Sequence, residues 1–196
     1  TELAALEAAT DLEALERASV QAEAVWRRED KAVSALRRQA APRLATAVTA
    51  AMQSESLGYT MALGLPELRR GIAELYQRWY GVDLNPERVI VTSGSSGAFL
   101  LAFTALFEAG DRVGLGEPGY PSYRQILKAL DVKPVGLPTS AENRFQPVPS
   151  DFAGLELDGL LVASPANPSG TMLTREAMQA LIDACAESET AFISDE

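Results

Sequence analysis

The chain has 196 residues, 47% hydrophobic and 22% charged, which is enough apolar material for one generous domain with a buried core. Its 17 Lys and Arg against 27 Asp and Glu leave a net charge of −10, which argues against a nucleic-acid-binding surface. It has no histidine, which excludes a histidine-dependent triad and any histidine-ligated metal, and one cysteine, Cys185, which forbids an internal disulfide.

Residues 1–56 read as a helical segment. Leu3, Leu6, Leu12 and Leu15 recur at roughly helical spacing, and no Gly or Pro precedes Pro42. Leu44, Val48 and Met52, each four apart, continue the pattern to about Ser56. Residues 57–66, LGYTMALGLP, read as a loop. Residues 66–80 read as an amphipathic helix with Pro66 in its first turn and Gly81 as its C-cap.

From residue 88 short apolar runs alternate with helical patterns. Strands are expected at 88–92, 112–116, 132–137, 159–164 and 191–194, with helices at about 96–108, 120–130 and 174–187. That alternation predicts an α/β fold, a mostly parallel sheet sandwiched by helices, from about residue 57 to the end. No apolar run is long enough to span a membrane, and the first residues lack the basic stretch and apolar core of a secretory signal. With the cysteine usage, this makes the expected setting cytoplasmic.

Four segments carry candidate chemistry. After the first expected strand, Ser93–Gly97 (SGSSG) opens an apolar helix, leaving backbone N–H groups and serine hydroxyls for a phosphate. A tight turn with an N-cap serine explains the same residues, and neither common nucleotide fingerprint is present. In EPGYPSYR (117–124) two aromatics flank a proline turn, and Tyr120 suits stacking on a flat ring or plain loop packing. In ASPANPSGTML (163–173) Asn167 offers an amide donor or a turn-forming Asn-Pro. AFISDE (191–196) places Asp195 at a strand's carboxyl end, either to hold a proton on a heteroaromatic nitrogen or simply to face water. A phosphate cradle, a ring stacker, an amide donor and a carboxylate on one sheet edge together suit pyridoxal 5'-phosphate.

These segments resemble the class I/II aminotransferases, the fold-type-I pyridoxal phosphate enzymes. LGYTMALGLPELRRGIAELY, VIVTSGSSGAFLLAF, PGYPSY, NPSG and SDE match five of that family's blocks in order. The resemblance implies that Ser95 and Ser96, with the backbone of Gly94 and Gly97, hold the cofactor phosphate. It implies that Tyr120 stacks on the pyridine ring, Asn167 bonds the ring's phenolic oxygen and Asp195 pairs with the pyridine nitrogen. Tyr59 resembles the tyrosine that reaches the phosphate of a neighbouring subunit's cofactor, which implies a homodimer with shared sites. The substrates would be an amino acid and a 2-oxo acid. Residues 57–196 would form an incomplete large domain.

The departures matter equally. The family's Schiff-base lysine is expected beyond Glu196, and Lys31, Lys128 and Lys133 sit in no matching context. The chain therefore reads as the amino-terminal part of a longer enzyme, inactive alone. Residues 26–41 show neither the strand nor the Gly-x-Pro turn of the family. Residues 1 to about 40 thus read as a replaced extension, an out-of-register translation or a divergent helix. A β-eliminating lyase on the same scaffold and the ligand-sensing domain of a transcription regulator are the alternatives. Against the regulator, residues 1–40 carry 8 acidic and 6 basic residues and no compact helix-turn-helix.

Overall fold

A computed structural model describes residues 34–35, 38–54 and 58–196. The chain divides into two compact units, Thr1–Thr60 and Met61–Glu196. In the first, residues 38–54 are helical (α1), and Leu44, Val48 and Met52 form an exposed apolar stripe along it. The helices expected before residue 34 lie outside the described residues.

The second unit begins with α2 (Pro66–Tyr80), whose last turn closes on Gly81 at φ 68° and ψ 18°. That left-handed conformation is one glycine adopts without Cβ strain, so Gly81 ends the helix as expected. The helices α3 (Ser95–Leu106), α4 (Pro121–Ala129) and α5 (Arg175–Glu187) alternate with β1 (Arg112–Glu117), β2 (Lys133–Pro138), β3 (Gly159–Ala163) and β4 (Ala191–Asp195). All four strands are parallel, in the order β2-β1-β3-β4. The expected strands and helices from residue 112 onward are present, with ends shifted by a residue or two.

β3 is apolar throughout because both of its faces are covered. Its alternate residues serve different cores. Leu161 joins Phe99, Phe103, Phe107, Val113, Leu115, Tyr123 and Leu127 under α3 and α4. Leu160 and Val162 join Leu137, Phe152, Leu157, Leu181 and Cys185 under α5. The connection β1–α4–β2 runs one way across the sheet and β3–α5–β4 runs the other. Two such crossovers share one hand only if their helices lie on opposite faces, as these do. The chain thus diverges between β1 and β3, and a crevice opens at their carboxyl ends.

The expected strand at 88–92 is corrected. Pro86–Arg88 form a single 3-10 turn, and residues 89–92 pair with no strand among the described residues. Other groups hold this stretch. The Arg69 Nε donates to Val89 O at 2.8 Å, its Nη2 lies 3.5 Å from Glu87 Oε2, and Val91 N donates to Leu63 O at 3.0 Å. A Cβ on Gly64 would sit 2.6 Å from Val91 Cγ2, so the two backbones approach this closely only with glycine there. The segment has strand-forming residues but no ladder, because strand formation depends on a partner.

Candidate functional site

Tyr123 ties the carboxyl edge together. It sits one helical turn after Tyr120, which is the N-cap of α4. Its ring meets Tyr120 edge-on at 5.3 Å and Phe99 of α3 edge-on at 5.0 Å. Its hydroxyl donates a short hydrogen bond to Oδ2 of Asp195 at the end of β4. Tyr123 is 4% exposed. Burial pushes its phenol well above the usual value near 10, and the bond to Asp195 adds to the rise, so it remains a donor at neutral pH. Asp195 Oδ1 has no hydrogen-bond partner among the described residues.

The start of α3 is left open. Gly94 is its N-cap at φ 79°, with no side-chain cap, so the expected alternative of an N-cap serine is not what forms. The amides of Ser95, Ser96 and Gly97 and the two serine hydroxyls make no hydrogen bond among the described residues, and Ser95 and Ser96 are exposed. These are the unpaired N–H groups of a helix start, with the positive end of the dipole behind them.

A cavity of about 270 Å³ fills the crevice between β1 and β3. Tyr120, Tyr123, Arg124, Gln146 and Asn167 line it, over a floor that includes Leu115 and Leu161. Glu117 and Arg124 form an ion pair at its wall. Asn167 is exposed, its side chain without a hydrogen bond among the described residues.

Of the residues singled out in the sequence, Tyr120 and Asn167 share this cavity. Asp195 joins them through Tyr123, and the 94–97 segment through Phe99, one turn further along α3. The cavity itself touches neither the 94–97 segment nor Asp195. Tyr59 belongs to the other compact unit, where its side chain is fully exposed. In the sequence Tyr123 stands out only as one of two aromatics flanking a proline turn, with no role attached, and Gln146 does not stand out at all. For Tyr123 a signal existed, since three residues from Tyr120 is one helical turn. Gln146 carried none: a lone amide in a loop has no periodicity or spacing to mark it.

Among the described residues no cluster of side chains suits a metal ion, and no helix is long and apolar enough to cross a membrane. The sequence model described as "Aminotransferase class I and II" matches residues 28–196, a range that takes in part of the atypical stretch before residue 41. A valine–pyruvate aminotransferase of Mycobacterium tuberculosis is 49% identical over 152 residues, 76% of this chain and 39% of the relative. A solved chain from Silicibacter pomeroyi is 69% identical with a TM-score of 0.66, covering 67% of this chain and 36% of that one. An aminotransferase structure from Mycobacterium tuberculosis is 49% identical with a TM-score of 0.75, covering 77% of this chain and 42% of that one. The chain therefore spans well under half the length of these relatives. With its parallel sheet and the five ordered blocks in place, the chain belongs to the class I and II aminotransferase family.

Proposed function

We propose that the chain is the amino-terminal part of a pyridoxal phosphate-dependent aminotransferase, which moves an amino group from an amino acid to a 2-oxo acid. In this reading residues 57–196 belong to its cofactor-binding large domain, and the protein works in the cytoplasm. The observation that carries the reading is the part-buried Tyr123–Asp195 pair, with one carboxylate oxygen held and the other without a partner among the described residues, at the sheet's carboxyl edge.

The donor set suits the cofactor. Ser95, Ser96 and the amides of residues 95–97 would hold its phosphate, since a helix start stabilises a dianion through N–H groups and dipole together. Tyr120 would stack on its ring and the Asn167 amide would donate to its phenolic oxygen. Asp195 Oδ1 would accept the pyridine N–H, while Tyr123 holds the same carboxylate through Oδ2 and so fixes its orientation. When bound, the cofactor supplies an electron-withdrawing ring that stabilises charge developing on the substrate carbon. This chain's part is to keep the ring proton in place at Asp195 and the ring plane against Tyr120. Tyr59 would reach the phosphate of a neighbouring subunit's cofactor, which makes the working unit a homodimer. The lysine that bonds the cofactor is assigned to the remainder of the protein, so this chain alone is expected to be inactive.

The test uses a full-length protein carrying this chain. Pyridoxal phosphate added to the apoprotein should change its visible absorption, and valine with pyruvate, the pair named for the 49% identical relative, should yield alanine. Asp195→Asn should lower turnover on the order of a hundredfold while the cofactor still binds. An apoprotein indifferent to pyridoxal phosphate would sink the reading.

A further inference from the structure

Gln146 is 4% exposed, one of few polar side chains buried in this unit. Its carboxamide nitrogen donates to Ala163 O at 3.1 Å and to Thr171 O at 3.0 Å. Both acceptors are backbone carbonyls, so the nitrogen and not the oxygen must face them. Ala163 ends β3 and Thr171 lies beyond the following loop, so the two bonds pinch the loop that carries Asn167 at its two ends. Inside it, Ala166 N donates to Thr171 O at 2.8 Å and Gly170 N donates to Ala166 O at 2.7 Å. Leu173 N donates to Ser164 Oγ at 3.0 Å. The loop is thus wound on itself and fastened from outside at two points, by the Gln146 side chain and by Asp195 O, which accepts from Ser164 N at 2.9 Å.

The turn that precedes Gln146 aims its side chain. Arg144 and Phe145, immediately before it, have φ of 56° and 54°. Two consecutive left-handed residues, neither of them glycine, hold an unfavourable backbone. They are kept there by Arg144 N to Ala141 O at 3.0 Å and Phe145 N to Ser140 O at 2.8 Å, and Gln146 N closes the turn on Asn143 O at 3.0 Å. Strained backbone of this kind persists where the surroundings over-determine it, and it marks functional supports. Here its product is a glutamine turned into the cavity wall.

We propose that Gln146 is a positioning residue for Asn167: its amide N–H groups clamp the 163–171 loop so that the Asn167 side chain stands in place before the cofactor arrives. This rests on the pyridoxal phosphate reading, in which Asn167 donates to the ring's phenolic oxygen. Gln146 itself touches no reacting atom. Its effect is to spare the loop the ordering cost that binding would otherwise carry.

The experiment uses the full-length protein and three variants, Gln146→Met, Gln146→Glu and Asn167→Ala. Three quantities are read: the dissociation constant of pyridoxal phosphate from the apoprotein, the pH midpoint of the bound cofactor's visible absorption change, and the melting temperature. Gln146→Met keeps the length of the side chain and removes the donors. It should weaken cofactor binding about tenfold, in the range found when a supporting partner of a binding residue is removed. It should also move the pH midpoint in the same direction as Asn167→Ala. Gln146→Glu should recover affinity, relative to the unaltered protein at the same pH, as acid gives its carboxyl a donor proton. A residue with only a structural role would lower the melting temperature and leave the pH midpoint where it was, and that result overturns the proposal. Amide exchange on the unaltered apoprotein needs no variant: slow exchange at Ala166 and Gly170 supports a preformed loop, and free exchange refutes it. Failure of the underlying reading looks different, because then the unaltered protein does not bind pyridoxal phosphate at all. If it binds and Asn167→Ala shifts the midpoint while Gln146→Met does not, only the role of Gln146 falls.

Discussion

Under α3 and α4 the sheet is packed with Phe99, Phe103, Phe107 and Tyr123, whereas under α5 it is packed mainly with Leu137, Leu157, Leu160, Leu181 and Cys185. Both faces exclude water, and both anchor on side chains with no exposed surface, Phe103 on one and Leu181 on the other. They differ in where the polar groups go. On the aromatic face a phenol points from the core to the carboxyl edge and holds Asp195. On the aliphatic face the buried thiol of Cys185 is pushed up by burial, which makes it a poor nucleophile, and it serves packing. An aromatic core can end in a polar atom without breaking its packing, since ring and hydroxyl face different surroundings. An aliphatic core has no such handle. The Tyr123–Asp195 part of the candidate site is accordingly built out of one face of the sheet, with the other as its support.

The largest expected effects test whether the faces are equal in stability and unequal in function. Phe103→Ala should cost about 3–5 kcal/mol and Leu181→Ala about 2–5 kcal/mol, both read by urea unfolding of the full-length protein. Phe103→Ala should also weaken pyridoxal phosphate binding, because Phe103 stacks at 5.9 Å on Phe99, which in turn braces Tyr123. Leu181→Ala should leave binding near the unaltered value. Equal losses of binding in the two variants would dissolve the distinction between the faces.

Next comes the link between face and edge. Tyr123→Phe keeps the ring and removes the bond to Asp195, at about 1.5–3 kcal/mol for a hydrogen bond to a charged group. It also has a pH signature. The folded-state phenol titrates above its usual value near 10, so its contribution to stability is fully present below that pH. That contribution is lost as the pH climbs beyond it. The unaltered protein should weaken there more steeply than Tyr123→Phe, and parallel alkaline curves would show that the phenol is not held as described.

The smallest effect belongs to the supporting face. Thr174 caps α5, its Oγ1 accepting from Ala177 N at 3.2 Å. Thr174→Ala should cost about 1 kcal/mol in thermal unfolding with no change in cofactor binding. A change in binding there would mean that the two faces communicate across the sheet.

Much of this architecture is legible in the chain alone, for local reasons. Pro66 and Gly81 bracket α2 because one residue lacks an N–H a first turn would not use and the other tolerates a left-handed close. The alternation of apolar runs with helical patterns predicts the parallel sheet, and the PGYPSY, NPSG and SDE segments place three candidate groups at its carboxyl edge. Those features rest on period, turn chemistry and order along the chain, which are properties of neighbours in sequence.

Tertiary contact decided the rest. Residues 89–92 have the composition of a strand, yet Arg69 and Leu63 take their backbone groups and no ladder forms. Tyr123 acquires its role only because β4 delivers Asp195, 72 positions later, to its hydroxyl. Gln146 acquires its role only because β3 ends beside a turn of two left-handed residues. Composition and spacing determine which groups a segment offers, but a hydrogen bond between distant segments exists only once the chain has brought its two ends within about 3 Å.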